Sequence, residues 1–187
     1  MSQPIHVLGI SGSLRKGSYN SGVLRAAQTL APAEMKISVW DIAAIPLYNE
    51  DVYQHGFPPA VEKFREAVRA ADALLIVTPE YNYSVPGVLK NAIDYASRPP
   101  AHPFSGKPAM IMGASPSVTG TARSQAHLRQ VLTCLNVATM PYPDVLIGSA
   151  LTKFDDQGNL TDEKTKEFLR KNLAGFQNWI SHFRNNS

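Results

Sequence analysis

Short apolar runs recur along the chain at residues 5–10, 37–40, 73–77, 109–112 and 145–147. Each has the length of a β-strand, and the segments between them repeat apolar residues at helical spacing. Val23, Leu24, Ala27 and Leu30 form one stripe; Val61, Phe64, Val68 and Ala71 form a second. Val85, Leu89, Ile93 and Ala96 make a third, and Leu128, Val131, Leu132 and Leu135 a fourth. The longest stripe carries Leu169, Leu173, Phe176, Ile180 and Phe183, with Thr161 ahead of it as the predicted N-cap. Strand and helix alternate five times, which predicts a parallel sheet covered by helices on both faces.

The strands differ in a way that orders them. Residues 73–77 are apolar throughout, as a central strand buried on both sides requires. Residues 36–40, Lys-Ile-Ser-Val-Trp, alternate as a half-solvated edge strand does. An α/β, doubly wound, five-stranded parallel sheet in the order 2-1-3-4-5 accounts for both patterns. No repeat or linker interrupts the alternation, so one domain is expected over residues 1–187. The Pro-rich pieces at 57–59 and 98–103 read as loops.

Composition narrows the class. The chain is 44% hydrophobic and 18% charged, as in an ordinary soluble globular protein. The opening Met-Ser-Gln-Pro has no basic segment followed by an apolar one, and no apolar run is long enough to cross a bilayer. The single cysteine, Cys134, fits a reducing compartment, so a cytoplasmic protein is expected. Its position on the fourth stripe predicts a buried, inert thiol. The net charge of +3 is scattered, without a basic block interleaved with aromatics. This describes a solvated basic surface and not a nucleic-acid footprint.

The candidate chemistry lies at two strand ends. Residues 9–20, "GISGSLRKGSYN", follow the first strand, where ligands bind in an open α/β sheet. Ser11, Ser13, Ser18 and Asn20 offer donors, Gly12 and Gly17 allow close approach, and Arg15 offers a fork suited to phosphate. The helix starting near Asn20 adds free N–H groups and a positive dipole end. The segment reads as a cradle for a terminal phosphate monoester, or as a plain βα turn. It lacks the third glycine of the dinucleotide fingerprint, the Lys-Ser/Thr of a P-loop and the last glycine of a hydrolase elbow.

Residues 78–99, "TPEYNYSVPGVLKNAIDYASRP", follow the third strand. Pro79 ends the strand, and Ser84 with Pro86 is a predicted helix start. Glu80, Tyr81, Asn82 and Tyr83 between them offer π faces and an amide to a flat heteroaromatic ring. Two tyrosines capping the core explain the same residues equally well.

Taken together, "GSLRKGSYN" and "PEYNYSVPGVLKNAIDYASRP" resemble the NADPH-dependent FMN reductases, the flavodoxin-like quinone, chromate and azo-dye reductases. The resemblance extends to "IPLYNED" (45–51), "GKPAMIMGAS" (106–115) and "AHLRQVL" (126–132). It implies that Ser11, Ser13, Arg15, Ser18 and Asn20, with Tyr19 among them, hold the phosphate of FMN. It implies that Pro79, Glu80, Tyr81 and Asn82, flanked by Tyr83 and Ser84, line the isoalloxazine ring, and that Ser115 approaches from the fourth strand. The loop 113–120 is less glycine-rich than in many relatives. The implied activity is hydride transfer from NADPH or NADH through FMN to quinones, in ping-pong order, with azo compounds, nitroaromatics or chromate as further acceptors. The flavin carries that chemistry, so no catalytic side chain and no metal are expected.

Two further expectations concern partners. Helix 85–97 carries Val88 and Tyr95 beyond its stripe, and helix 122–135 is similarly broad; both predict a homodimer or homotetramer through these helices. The neighbour's residues 48–53 would then wall the pocket. The alternative is a flavodoxin-type electron carrier without NAD(P)H turnover, but such carriers tend to be strongly acidic, unlike this chain.

Overall fold

The computed structural model describes residues 4–184. Strands β1 (Ile5–Ser11), β2 (Met35–Trp40), β3 (Ala73–Val77) and β4 (Pro108–Ala114) are parallel and run in the order β2-β1-β3-β4. The far edge of β4 is shared by two short strands. β5 (Ala138–Thr139) pairs with Pro108 and Ala109, and β6 (Val145–Ile147) with Met112 to Ala114. The expected order 2-1-3-4-5 is therefore observed, but its fifth place is divided and β5 was not foreseen. Pro141 and Pro143 lie between the halves, and a residue without an N–H cannot continue a ladder.

The period of two sorts β3 between two cores. Ala73, Leu75 and Val77 pack with Val23, Leu24 and Ala27 of α1 (Tyr19–Leu30) and with Leu169, Leu173 and Phe176 of α6 (Glu163–Arg184). Leu74 and Ile76 pack on the other side against helices α3 (Pro59–Ala70), α4 (Gly87–Ala96) and α5 (Ala122–Cys134), through Phe64, Leu89, Ile93 and Leu128. Each buried Val, Leu, Ile or Phe among them stabilises the fold by about 1.5–3 kcal/mol. Register is thus strongly specified, since a one-residue slip would exchange the two sets. β2 is the edge it was expected to be, with Lys36, Ser38 and Val39 exposed.

Several local expectations give way to better-placed groups. Asp162, not Thr161, caps α6: its Oδ1 accepts from Thr165 N at 2.8 Å and from Thr165 Oγ1 at 2.5 Å. Thr161 is held instead by the carbonyl of Lys153. α4 begins after Pro86, and Ser84 closes a turn ahead of it. Cys134 is exposed at the last residue of α5, so the buried thiol is corrected: the stripe there belongs to Leu128 and Leu132, which lie on the opposite side. Tyr95 is buried edge-on to Tyr48, 5.0 Å between ring centres, and offers nothing to a neighbour; Val88 is exposed. A short helix, α2 (Glu50–Tyr53), was also not foreseen; the chain ahead of it is tied to α4 of the same chain by Asn91, whose Oδ1 accepts from Tyr48 N at 2.8 Å.

Candidate functional site

β1 leaves the sheet at Ser11, and Gly12 N still donates to Val77 O at 2.8 Å, which carries the turn toward β3. The loop then closes on its own hydroxyls. Ser13 N donates to Ser11 Oγ at 3.3 Å, Arg15 N to Ser13 Oγ at 3.4 Å, and Ser18 N to Arg15 O at 3.1 Å. Ser18 is the N-cap of α1, its side chain accepting from Ser21 N at 3.4 Å. The next N–H groups, of Tyr19 and Asn20, precede the first intrahelical acceptor and meet no protein partner among the described residues. Arg15 and Lys16 are exposed beside them, and α1 has no acidic residue in its first turn. Free amides and nearby cations together give the loop the features that favour an anion.

Asn20 has a different task from the one foreseen. Its side chain is 3% exposed, Nδ2 donates to Ala114 O at 3.0 Å, and Oδ1 accepts from Ala114 N at 2.9 Å. The amide thereby clamps the first turn of α1 to the end of β4. What Asn20 offers an anion is its backbone N–H.

The loop after β3 is a two-residue hairpin turn. Tyr81 N donates to Ser84 O at 3.1 Å and Ser84 N to Tyr81 O at 3.0 Å, with Asn82 and Tyr83 at φ 49° and 65°. Both tip residues being left-handed is the signature of a type I′ turn. Tyrosine in this region is uncommon, and the position is over-determined by α5. Glu80 Oε2 accepts from the N–H groups of Arg123 and Ser124 at 3.0 and 3.1 Å, and Oε1 from Arg123 Nε at 3.1 Å. The Arg123 guanidinium lies 3.8 Å from the centre of the Tyr83 ring. Ser84 Oγ is 3.0 Å from His127 Nδ1, and Thr78 Oγ1 is 3.2 Å from Ser124 Oγ. The tip N–H groups of Asn82 and Tyr83 meet no acceptor among the described residues.

The third wall comes from β4. Ser115 N donates to Ile147 O at 3.0 Å, and its hydroxyl accepts from Ser117 N at 3.1 Å. Gly113 is obligatory beneath it, because a Cβ there would fall 1.9 Å from Thr121 Oγ1 and 2.4 Å from Thr78 O.

These elements enclose a cavity of about 140 Å³. Ser13, Arg15, Ser18, Tyr19, Asn20, Pro79, Glu80, Tyr81 and Ser115 line it together. Ser11 stands behind it, hydrogen bonded to Ser21 Oγ at 3.0 Å, while Asn82, Tyr83 and Ser84 lie outside its lining. Ala114 and Pro116 complete the wall and were not singled out from the sequence; their only signal is adjacency to Ser115. The volume is below the roughly 300–1,000 Å³ of a whole-ligand pocket, so the cavity takes one end of a ligand whose remainder lies on open surface. Free amides, a guanidinium and hydroxyls suit the phosphate end of FMN, and the adjoining turn presents free N–H groups beside Tyr81. The residues fit that cofactor. Among the described residues, no group of three or more His, Cys, Asp or Glu side chains is placed to hold a metal ion.

Comparison with known proteins agrees with this geometry. A sequence profile of the NADPH-dependent FMN reductases matches residues 5–152. The chain is 60% identical over 184 residues to an NAD(P)H-dependent FMN reductase of Pseudomonas aeruginosa, covering 98% of this chain and 100% of the relative. It is 47% identical over 183 residues to a quinone reductase of Escherichia coli, covering 96% and 97%. The solved structure of FerB, a flavoenzyme NAD(P)H:(acceptor) oxidoreductase of Paracoccus denitrificans, superposes with a TM-score of 0.87 at 36% identity, covering 96% of this chain and 98% of that one.

Proposed function

This chain belongs to the NADPH-dependent FMN reductase family, and from that premise we propose that it is a quinone reductase working in ping-pong order. FMN, when bound, supplies the two-electron chemistry between the nicotinamide donor and the acceptor. The protein binds, orients and tunes it. The observation that carries the reading is the convergence of two strand ends on one cavity, the β1 end with free amides and cations and the β3 end with a rigid turn.

We assign the phosphate to the N–H groups of Tyr19 and Asn20, the Ser13 and Ser18 hydroxyls and Arg15. The tip N–H groups of Asn82 and Tyr83 are assigned to the polar edge of the ring, where preorganised donors favour negative charge without reorganisation. Pro79, Tyr81 and the Ser115 wall fix the ring's position. The open surface beside the cavity leaves room for a flat donor or acceptor in turn, and quinones fit it best. Azo compounds, nitroaromatics and chromate are proposed as secondary acceptors. NADPH or NADH is assigned as the donor.

Among the described residues no second lobe covers the site, and Val88 at the start of α4 is exposed. A homodimer or homotetramer through α4 and α5 is proposed to cover it, and the cytoplasm is its proposed location. No helix among the described residues is long and apolar enough to cross a membrane. Initial rates of NADPH oxidation against benzoquinone test the scheme. Parallel double-reciprocal lines are expected. Intersecting lines would overturn the ping-pong order, and absent turnover by the FMN-loaded protein would favour an electron carrier.

A further inference from the structure

Beyond the last residue matched by the family profile, Thr152, the chain makes a tight turn before α6. Phe154 and Leu160 pair antiparallel across it. The Asp155 carboxylate organises the tip, accepting from Gln157 N at 3.0 Å, Asn159 N at 2.7 Å and Asn159 Nδ2 at 3.2 Å. Gly158 sits at φ +76°, where a side chain is rarely tolerated.

The turn lies against the anion cradle. A Cβ on Gly22 would fall 1.9 Å from Gly158 O, so the backbones of α1 and the turn are in contact. A Cβ on Gly158 would fall 3.1 Å from Gly17 O, at the cradle itself. The Phe154 and Tyr19 rings are 4.9 Å apart. Arg25 Nη2 donates to Gly158 O at 3.0 Å, and its Nε and Nη2 donate to Asn159 Oδ1 at 3.2 and 2.9 Å. Gly17 and Gly22 bracket Tyr19 and Asn20, whose free amides form the anion site. Beside the turn, a cavity of about 350 Å³ opens between α1 and α6, bordered by Leu30, Asn159, Leu160 and Arg170. Phe154 and Leu160 anchor the base of the turn in the core, whereas its tip is held against α1 by Arg25 and the glycine contacts.

We propose that the turn formed by residues 154–160 is a positioning element of the FMN phosphate site. Gly158 and Asn159, held by Arg25, fix Gly17 and Tyr19 so that the amides at the start of α1 converge on one phosphate. These residues act through the cradle and do not touch the ring. The inference rests on the FMN reading given above.

The test compares FMN with riboflavin, which lacks the phosphate, by titrating the full-length protein and following flavin fluorescence. Gly22→Ala, Arg25→Gln and Asn159→Ala are each expected to lower the preference for FMN about tenfold, with riboflavin affinity unchanged within about twofold. Arg25→Lys keeps the charge but loses the fork, and is expected to show the same loss; that separates position from long-range attraction. If Gly22→Ala fails to fold, the variants at exposed Arg25 and half-buried Asn159 decide. An unchanged preference, or equal losses for both flavins, overturns the inference. A wild-type protein that binds neither flavin overturns the FMN reading itself, and the inference with it.

Discussion

Glu80 is bound by Arg123 through both carboxylate oxygens: Oε2 accepts from the backbone N–H at 3.0 Å and Oε1 from Nε at 3.1 Å. The loop after β3 thus caps α5, whose own N-cap residue, Thr121, makes no side-chain cap bond. A carboxylate at that end also gains from the helix dipole. Glu80→Ala leaves two first-turn N–H groups without their acceptor and releases the turn after β3 from α5. A loss of about 1–3 kcal/mol in urea unfolding is expected, together with faster release of FMN. Glu80→Gln, which keeps one acceptor oxygen, should fall between.

The Asn20 clamp gives a second prediction. Asn20→Ala strands the buried N–H and C=O of Ala114 at once, at about 1–3 kcal/mol for each unsatisfied group. Asn20→Asp restores an acceptor for the Ala114 N–H but presents no donor to its carbonyl, and adds negative charge to the cradle. We expect Asn20→Asp to unfold at lower urea than wild type and to bind FMN more weakly than Asn20→Ala. Equilibrium unfolding and flavin titration check the two parts separately.

How far the sequence disclosed this arrangement depends on what the period of a segment can encode. Leu74 and Ile76 against Leu75 and Val77 is a local pattern, so the sheet, its order and the helices' buried stripes were readable. The cradle was legible because small residues, cations and a helix start share one short stretch. The roles of Asn20, Glu80 and Gly158 were not. Each meets a partner 43 or more residues distant, and no local spacing records such a meeting. β5 was hidden for another reason: two residues are too few to show a period.

Asp162 predicts the acid limb of stability. Its carboxyl is held below the usual range, first by the Thr165 hydroxyl, then by the Thr165 N–H, with Lys153 and Lys164 nearby and partial desolvation opposing. A folded pKa below the unfolded one contributes stability in full above about pH 4 and loses it as pH falls through the folded value. Asp155 shifts the same way, chiefly through the Asn159 N–H. The melting temperature should stay level from neutral pH to about 4 and drop below it, and Asp162→Asn should flatten that drop. Scanning calorimetry from neutral pH to well below pH 4 checks it.

The proposed oligomer is tested at Val88, an exposed apolar residue on α4. Light scattering at micromolar concentration should give at least twice the 20.4 kDa chain mass for the wild type. Val88→Glu should shift the population toward monomer. A wild-type monomer would contradict the assignment of this face.

The most direct test is an anaerobic absorption spectrum of the purified, FMN-loaded protein before and after NADPH. One flavin per chain is predicted, with its visible band bleached by the nicotinamide and restored by benzoquinone. A protein that retains no FMN, or whose bound flavin keeps its colour under excess NADPH, would contradict the claim that the β1 and β3 ends hold a working flavin between them.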